Sequence, residues 1–375
     1  MAQPLKKKEV KSTADKMAML KAFKDKNNLT KAIEKEPQWL VLPEALFKAT
    51  KVVGIPLGYC SRVRGKSNTG KSTLKLEIIK AAQRQGILPV IFELENNFGW
   101  KHAQEIGVEI SESVDPETGE VVYGPSDNML YYDTAKLYEL YGKFDHEHGK
   151  WLAKPNRDTY VIEDVAMCIK DLIRAQRNGE IPFDLIFVID SIGVGDSYRS
   201  AVNNSSNNMW FAGALSTAFN TIVNDLIPSS RNINSEYTNT LFFVQKTWTK
   251  TTAMGLPSAM SKGGESLDWA VRISFYLGGI ESASVKKLTA TSGGREYKYG
   301  TKTKIQIEKN HVDDLTYEGE ICSTRHGFWD PDKLDEYKKL YAKEIKEKLA
   351  ETYNVSVDEI KDVTYEESVD TTADE

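Results

Sequence analysis

A short stretch near residue 65 combines glycine, lysine and hydroxyl residues at a spacing suited to holding phosphate. It reads GKSNTGKST and consists of Gly65, Lys66, Ser67, Asn68, Thr69, Gly70, Lys71, Ser72 and Thr73. Glycine lets the backbone curve so that successive N–H groups face an anion, and a helix that begins there adds its positive end. At this spacing Lys71 is expected to contact the β- and γ-phosphates of a nucleotide, and Ser72 to bind Mg²⁺. The stretch therefore predicts a nucleoside triphosphate site.

The motif requires a strand before the loop and a helix after it, and the flanking sequence favours both. GYCSRV (residues 58–63) has the alternation of a short strand, and residues 71–86 carry apolar side chains at helical spacing up to Gly86. Arg62 and Arg64 give this strand a charged face, which is unusual for a strand buried in a parallel sheet.

Polar residues end three further apolar segments that read as buried strands. Asp190 ends DLIFVID, where a carboxylate that supports Mg²⁺ belongs, and Gln245 ends LFFVQ, where an amide could sense a γ-phosphate. Glu93 and Glu95 close the strand after the loop helix, and either could hold a water molecule. Strands at 88–94, 183–190, 239–245, 271–278 and 301–310 alternate with helices. This order predicts an α/β fold with a mostly parallel central sheet.

Composition suits one large or two modest domains with an apolar core. The chain has 375 residues, of which 40% are hydrophobic and 27% charged. No apolar run approaches a membrane span, the start MAQPLKKKEVK lacks a signal-like apolar region, and the three cysteines are widely separated. We therefore expect a cytoplasmic protein with reduced thiols and no membrane partner.

Charge is uneven along the chain, although the net charge is only −5. Residues 1–26 have a net charge of +5 and residues 355–375 a net charge of −7. A helix is expected at 13–26. A second is expected from Asp330 and Pro331 to about Tyr353, followed by a disordered acidic tail.

A long segment at about 111–160, between two of the predicted strands, contains a predicted hairpin in DPETGEVVYG and the cluster DHEH. His146 and His148 lie two residues apart with no evident third ligand, so a solvated insertion is favoured over a metal site.

Seven segments together resemble the RecA family of strand-exchange recombinases, most closely its divergent bacteriophage members. They are GIPLG, GKSNTGKST, FELENNFGWKHAQEIGVE, FVIDS, FFVQ, GGESLDWAVRISF and KIQIEKNH, which follow in the family's order over about residues 50–312. The resemblance implies a RecA-like P-loop ATPase core at 46–325. A short helical N-terminal oligomerisation segment at 1–45 would precede it, and a small helical C-terminal region at 326–375 would follow.

The resemblance also implies roles for individual residues. Glu95 matches the family's water-activating glutamate, Asp190 its Walker B aspartate, which binds Mg²⁺ indirectly, and Gln245 its γ-phosphate sensor. Two lysines that reach the nucleotide of a neighbouring subunit fall on Lys309 and His311. His311 departs from the family pattern because a neutral imidazole supplies less charge than lysine. The family's inter-subunit aromatic residue falls on Trp269.

Two segments match the family's mobile DNA-binding loops, at 193–209 and 246–264. Arg199 lies in the first. In the second, Lys250 and Lys262 are suited to phosphates and Met254 and Met260 to wedging between bases, before the pair Gly263 and Gly264.

The sequence therefore predicts a DNA-dependent ATPase that uses ATP and Mg²⁺. It would form homo-oligomeric filaments on single-stranded DNA and pair them with homologous double-stranded DNA, aided by single-strand-binding and loader proteins. Two alternatives stay open, a hexameric replicative helicase with the same core and a non-catalytic regulatory ATP-binding clamp.

Overall fold

The computed structural model describes residues 12–27, 34–203, 209–251, 257–261, 265–278 and 285–370. Its helices are α1 Thr13–Lys26, α2 Glu44–Thr50, α3 Lys71–Arg84, α4 Trp100–Ile106, α5 Thr134–Tyr141, α6 Ile162–Arg177, α7 Tyr198–Val202, α8 Met209–Thr221, α9 Ile227–Ser229, α10 Glu265–Ala270, α11 Leu334–Leu340 and α12 Ala342–Thr352. A π-helical turn, Ile222–Leu226, joins α8 to α9, and short 3₁₀ turns lie at Pro331–Lys333 and Val357–Glu359.

The strands are β1 Trp39–Val41, β2 Gly54–Pro56, β3 Cys60–Gly65, β4 Leu88–Glu93, β5 Ile110–Val114, β6 Val121–Pro125, β7 Leu130–Asp133, β8 Phe144–Asp145, β9 Lys150–Trp151, β10 Leu185–Asp190, β11 Asn239–Thr251, β12 Pro257–Ser261, β13 Val271–Leu277, β14 Val285–Ser292, β15 Arg295–Asn310, β16 Glu318–Thr324, β17 Gly327–Trp329 and β18 Thr364–Val369. All five apolar segments predicted as strands form strands of one sheet.

The centre of that sheet is parallel, as predicted. Six strands run side by side in the order β13-β3-β11-β10-β4-β7, each parallel to its neighbours. Beyond β13 the sheet continues with antiparallel strands: β15 and β16 lead to β17, β14 pairs with β15, and β18 pairs with β14. This antiparallel extension is a finding of the structure that the sequence patterns did not indicate.

Alternating side chains of the parallel strands fill two cores, one on each face of the sheet. On β10, Ile186 and Val188 pack with residues of α3, whereas Leu185, Phe187 and Ile189 pack with residues of α6 and α8. A strand covered on both faces must be apolar throughout, which explains the continuous apolar run of this segment.

Only part of the segment at 111–160 is an insertion into the α/β core. Its predicted hairpin is confirmed as β5 and β6, which pair from Ile110↔Pro125 to Val114↔Val121. The following strand, β7, belongs to the central sheet and pairs with β4, and α5 contacts α6. Two parts therefore lie outside the central sheet: the hairpin of β5 and β6, and residues 142–159 with the small hairpin of β8 and β9.

The predicted N-terminal helix is confirmed as α1, and every residue of it is exposed. Its apolar side chains Met17, Leu20 and Phe23 are between 43% and 61% exposed. Among the described helices, none combines the length and the apolar character needed to cross a membrane. All three cysteines, Cys60, Cys168 and Cys322, are buried free thiols.

The acidic tail was expected to be disordered, and the structure corrects this for residues 364–369. They form β18, which pairs with β14 in register from Lys286↔Val369 to Thr291↔Thr364. Tyr365 packs against Tyr299, with ring centroids 5.8 Å apart. The contacts of two side chains provide the reason: Tyr365 packs against the C-terminal core, and Glu367 pairs with Lys286 and Lys302 of the sheet. The single predicted C-terminal helix is likewise two helices, α11 and α12, separated at Tyr341.

The side chain that follows β18 predicts a measurable contribution to stability. Asp370 is fully buried, and its carboxylate lies 2.7 Å from Nζ of Lys298. We expect Asp370→Asn to lower the free energy of unfolding by about 1–2 kcal/mol, since a charge-assisted hydrogen bond is lost while the partly exposed lysine can still reach water. Chemical denaturation measures this. The matched control is Asp362→Asn, an exposed carboxylate just before the strand, and equal stability of the two variants would contradict the prediction.

Candidate functional site

The phosphate-loop residues lie at the carboxyl end of β3, in the middle of the parallel sheet. Gly70 adopts φ = +96°, a left-handed conformation, and α3 begins at the next residue. At Gly65 an added Cβ would lie 2.2 Å from the carbonyl oxygen of Leu277, so only glycine fits beside β13. The loop therefore has the backbone curvature that the motif requires, with the start of a 14-residue helix behind it.

The three residues at the end of the loop have different environments. The Lys71 ammonium is buried and donates to the carbonyl of Lys66, across the mouth of the loop. Burial lowers the pKa of Lys71 to about 8, an effect that Asp190 partly offsets and that Lys246 reinforces. Ser72 is exposed, whereas Thr73 is buried against Ser323.

A cavity of about 660 Å³ opens beside the loop. It lies between α3, α4 and the antiparallel part of the sheet, lined by residues 68–73, by His102 and Glu105, by residues 297–301 and by residues 323–325. Lys101, Lys298 and Arg325 add cationic groups to its walls. A volume of this size is within the roughly 300–1,000 Å³ range of small-ligand sites, and it suits a nucleoside attached to phosphates held by the loop.

Behind the loop, three buried charges form a compact cluster. Nζ of Lys75 lies 2.8 Å from Glu93 and 2.5 Å from Asp190. The two carboxylates meet because Glu93 and Asp190 are register partners at the ends of β4 and β10. Burial alone would lower the pKa of Lys75, but the two carboxylates outweigh it and raise that pKa. Glu93 is 1% exposed, and its carboxylate is held in the interior by the Lys75 ammonium.

Glu95 has a different environment from Glu93. Its carboxylate accepts a hydrogen bond of 2.5 Å from Ser191 and one of 2.7 Å from the ammonium of Lys246. Burial on its own would raise the pKa of Glu95, but these two hydrogen bonds outweigh burial and lower it. Ser191 directly follows Asp190, through a cis peptide bond, and Lys246 directly follows Gln245. Glu95 therefore contacts both the residue that follows β10 and the strand that leads to the second candidate DNA loop.

Gln245 is buried on β11, opposite Arg64 on β3. Its side-chain oxygen accepts a 3.3 Å hydrogen bond from Arg62, and the same guanidinium contacts Ser274 and Asp268. The charged face of β3 is thus explained: Asp268 of α10 pairs with Arg62, and Glu308 of β15 pairs with Arg64. Arg62 links the candidate γ-phosphate sensor to α10, at the far end of the second candidate DNA loop.

Lys309 and His311 do not meet the phosphate loop of their own chain. Nζ of Lys309 donates to the carbonyl of Asp268 at 2.8 Å, and neither residue lines the cavity beside the loop. Trp269, next to Asp268, is 77% exposed. Lys309, His311 and Trp269 lie around the start of β13, whereas the loop follows β3 at the other end of this strand pair.

The candidate DNA loops are only partly within the described residues. Arg199 lies exposed on α7. The second segment was expected as a mobile loop, but its described parts form an antiparallel pair of β11 and β12, with Lys250↔Ser258 and Trp248↔Met260 in register. Met254, Lys262, Gly263 and Gly264 lie outside the described residues.

The residues present fit a nucleoside triphosphate with Mg²⁺. The loop offers backbone donors, the cradle at Gly65 leaves no room for a side chain, and Lys71 and Ser72 add an ammonium and a hydroxyl at its end. Asp190 has one carboxylate oxygen toward Lys75, which leaves the other for a water molecule of the ion. Among the described residues, no cluster of histidine, cysteine and carboxylate side chains would hold a metal directly, and the DHEH histidines pair with aspartates instead.

Three site residues were missed by sequence reasoning. Lys75, Lys246 and Arg62 carry no motif: the order of strands in the sheet brings Lys246 and Arg62 to their partners, and the packing of α3 on β4 brings Lys75 to Glu93. Lys75 had one usable signal, since a lysine on the buried side of a helix, one turn after the loop, requires a carboxylate nearby.

Comparison with known proteins finds partial similarity to bacterial RecA proteins. The chain is 36% identical to RecA of Chlorobium chlorochromatii over 78 residues, which are 20% of this chain and 22% of that protein. It is 28% identical to RecA of Ureaplasma parvum over 90 residues, 24% of this chain and 27% of that protein. For RecA of Aquifex aeolicus the values are 38% over 66 residues, 18% of this chain and 19% of that protein.

The matched region therefore spans about a fifth to a quarter of the length of these relatives. No protein-family model matches the chain. The partial matches support a relationship to the RecA family, and the α/β architecture with its parallel central strands is compatible with a RecA-like core.

Proposed function

We propose that this chain is an ATP-dependent recombinase that polymerises on single-stranded DNA and pairs it with homologous duplex. Within the RecA family it would be one of the divergent bacteriophage members, acting in the host cytoplasm. The observation that carries the proposal is the hydrogen bond between Glu95 and Lys246. It joins the residue suited to activate water directly to the strand that leads into the candidate DNA-binding segment.

The proposed chemistry is hydrolysis of ATP by an activated water. Lys71 and the loop amides would hold the phosphates, and bound Mg²⁺ would neutralise the charge that develops on the transferred phosphoryl group. Glu95 would accept a proton from the attacking water, since its carboxylate is accessible and Glu93 is committed to Lys75. Gln245 would form a hydrogen bond with the γ-phosphate. Because Gln245 also contacts Arg62, which pairs with Asp268, this bond would shift the position of α10.

Assembly would place the nucleotide between subunits. Lys309, His311 and Trp269 lie at an edge away from their own loop, which suits contact with the nucleotide of a neighbour. The exposed apolar side chains of α1 suit docking on a second copy. The segments 193–209 and 246–264 would then line the DNA path, with Arg199, Lys250 and Lys262 on phosphates.

Electron microscopy with single-stranded DNA and a slowly hydrolysed ATP analogue tests the proposal. Open helical filaments are the expected result, because a recombinase must read a long single strand. Closed hexamers would instead support a replicative helicase, and monomers without DNA would support a regulatory clamp. Either of these two outcomes would overturn the recombinase assignment.

The Glu95–Lys246 pair makes a prediction about coupling between DNA and hydrolysis. DNA phosphate that attracts Lys246 would free Glu95, whose pKa would rise toward the ordinary value and make it a better base. Lys246→Ala should therefore raise ATP turnover in the absence of DNA, by about three- to tenfold, and reduce the further gain on adding DNA.

Steady-state phosphate release with and without single-stranded DNA measures this effect. Lys246→Arg is the matched control, because it keeps a cation next to Glu95 and should retain low turnover without DNA. A Lys246→Ala enzyme as slow as wild type without DNA would mean that the pair does not restrain Glu95.

A further inference from the structure

A second cavity, of about 640 Å³, lies at the base of the first candidate DNA loop. Its walls come from the insertion around Phe144, from α6, from α7 and from α8, and no phosphate-loop residue lines it. The lining residues of α8 include Gly213, Ala214 and Ala218, whose small side chains leave the space open. Its volume is within the roughly 300–1,000 Å³ range of small-ligand sites.

The wall formed by the insertion is held by a buried ion pair. Arg157, whose side chain is fully buried, donates to both carboxylate oxygens of Asp164 on α6, at 2.7 and 2.9 Å. The same guanidinium donates to the carbonyls of Tyr141 and Phe144. Nε2 of His146 lies 2.7 Å from one of the same Asp164 oxygens. Because the Arg157–Asp164 pair is fully buried, the insertion has a fixed position on α6.

The wall formed by α7 is fixed to the same framework. The backbone N–H of Tyr198 lies 3.0 and 3.1 Å from the two carboxylate oxygens of Glu163, and its hydroxyl accepts a 2.6 Å hydrogen bond from Asn156. The Tyr198 ring packs edge-on to His146 and lies 5.3 Å from the Arg157 guanidinium. The insertion therefore sets the position of the residue that directly precedes Arg199.

Two cationic side chains of the cavity are suited to contact an anionic ligand. Lys170 of α6 lines it half-buried, and within the described residues its ammonium makes no ion pair or hydrogen bond. Burial accordingly lowers the pKa of Lys170. Arg199 adds a second cationic side chain. Of the two acids in the lining, Glu163 is engaged by Tyr198 and Glu147 is exposed at the rim.

We propose that this cavity binds one nucleotide unit of single-stranded DNA, with the phosphate on Lys170 and Arg199 and the base against Phe144, Met167 and Tyr198. The inference rests on the proposed function and deepens it: the insertion would extend the DNA path beyond the two candidate loops. The chemistry of the lining carries it, since aromatic and apolar faces suit a base, and the half-buried Lys170 with the exposed Arg199 suits a phosphate.

Lys170→Gln in the full chain tests the phosphate contact, with a fluorescein-labelled oligothymidine and the ATP analogue present. Loss of one contact should weaken binding about three- to tenfold and reduce the slope of log affinity against log salt by about 0.7. Lys170→Arg should retain both values. The matched control is Arg174→Gln, a cation on the same helix that is outside the cavity, 71% exposed and paired with Asp171. It should leave the slope unchanged.

Photo-crosslinking with 5-iododeoxyuridine in the same oligonucleotide tests the base contact independently of any change in folding. A crosslink that maps to Phe144 or Tyr198 is expected. Wild-type salt slope in Lys170→Gln, together with crosslinks only elsewhere, would overturn the cavity as a DNA site while DNA binding itself, and hence the proposed function, stands. The cavity would then suit an apolar side chain of a protein partner. Absence of DNA binding by the wild-type chain would overturn both proposals.

Discussion

Replacement of Lys71 by alanine should weaken ATP binding by about 10- to 100-fold. The ammonium is buried at the mouth of the loop, and a charge-assisted hydrogen bond of this kind contributes about 1.5–3 kcal/mol. Titration calorimetry with a slowly hydrolysed ATP analogue and Mg²⁺ measures the change. Arg84→Ala is the matched control, because it removes an exposed cation from the other end of the same helix. A Lys71→Ala protein that binds ATP as tightly as the control would refute the assignment of the loop.

The lowered pKa of Lys71 adds a pH dependence to this experiment. Burial places that pKa at about 8, and phosphate binds the protonated form. Below pH 8 the Lys71 side chain is already protonated. Above pH 8 it must take up a proton before it can bind phosphate. Wild-type affinity should therefore fall by up to about tenfold per pH unit above pH 8. In Lys71→Ala this component should be absent, which comparison of dissociation constants at pH 7, 8 and 9 would reveal.

The second large effect is expected from Glu95→Gln, which should slow ATP turnover by about 10²- to 10⁴-fold. Glutamine can still accept the hydrogen bond from Ser191 but cannot accept a proton from water at neutral pH. Nucleotide affinity should change little, because Glu95 does not line the loop or its cavity. Single-turnover phosphate release and analogue binding measure the two quantities separately.

Glu93→Gln is the informative comparison for that experiment. It removes one of two carboxylates from a lysine whose side chain is 4% exposed, so its main effect should be on stability, not on the proton transfer. We expect a lower free energy of unfolding for Glu93→Gln and normal stability for Glu95→Gln. If Glu93→Gln folds but does not hydrolyse ATP, while Glu95→Gln stays active, then Glu93 and not Glu95 activates the water molecule.

The central fold was predictable from the sequence because its signals are local. A glycine loop between a strand and a helix, and apolar runs that end in Asp190 or Gln245, indicate strands whose carboxyl ends meet at one edge. The choice between Glu93 and Glu95 was not predictable in this way. It depends on Lys75, which lies one helical turn beyond the loop and reaches Glu93 only through the packing of α3 on β4.

Features that depend on distant pairing were also missed. β18 is acidic and short, so composition indicated disorder. Its partner β14 lies more than 70 residues earlier, and the lysines that neutralise it are spread over two strands. The position of the insertion is set by Arg157 and Asp164, two residues in a segment without any motif. A sequence pattern shows the spacing of apolar residues within one segment, whereas these contacts depend on which distant segment packs against it.

The burial of the three cysteines has a practical consequence for spectroscopy. Burial raises the pKa of each of these thiols to about 12, so almost none is thiolate at neutral pH and none is accessible to a reagent. The native cysteines of the folded chain should therefore not react with maleimide dyes, so none of them needs to be removed before labelling. A single cysteine introduced at Glu147, exposed on the rim of the second cavity, would carry a fluorophore that reports directly when that cavity fills.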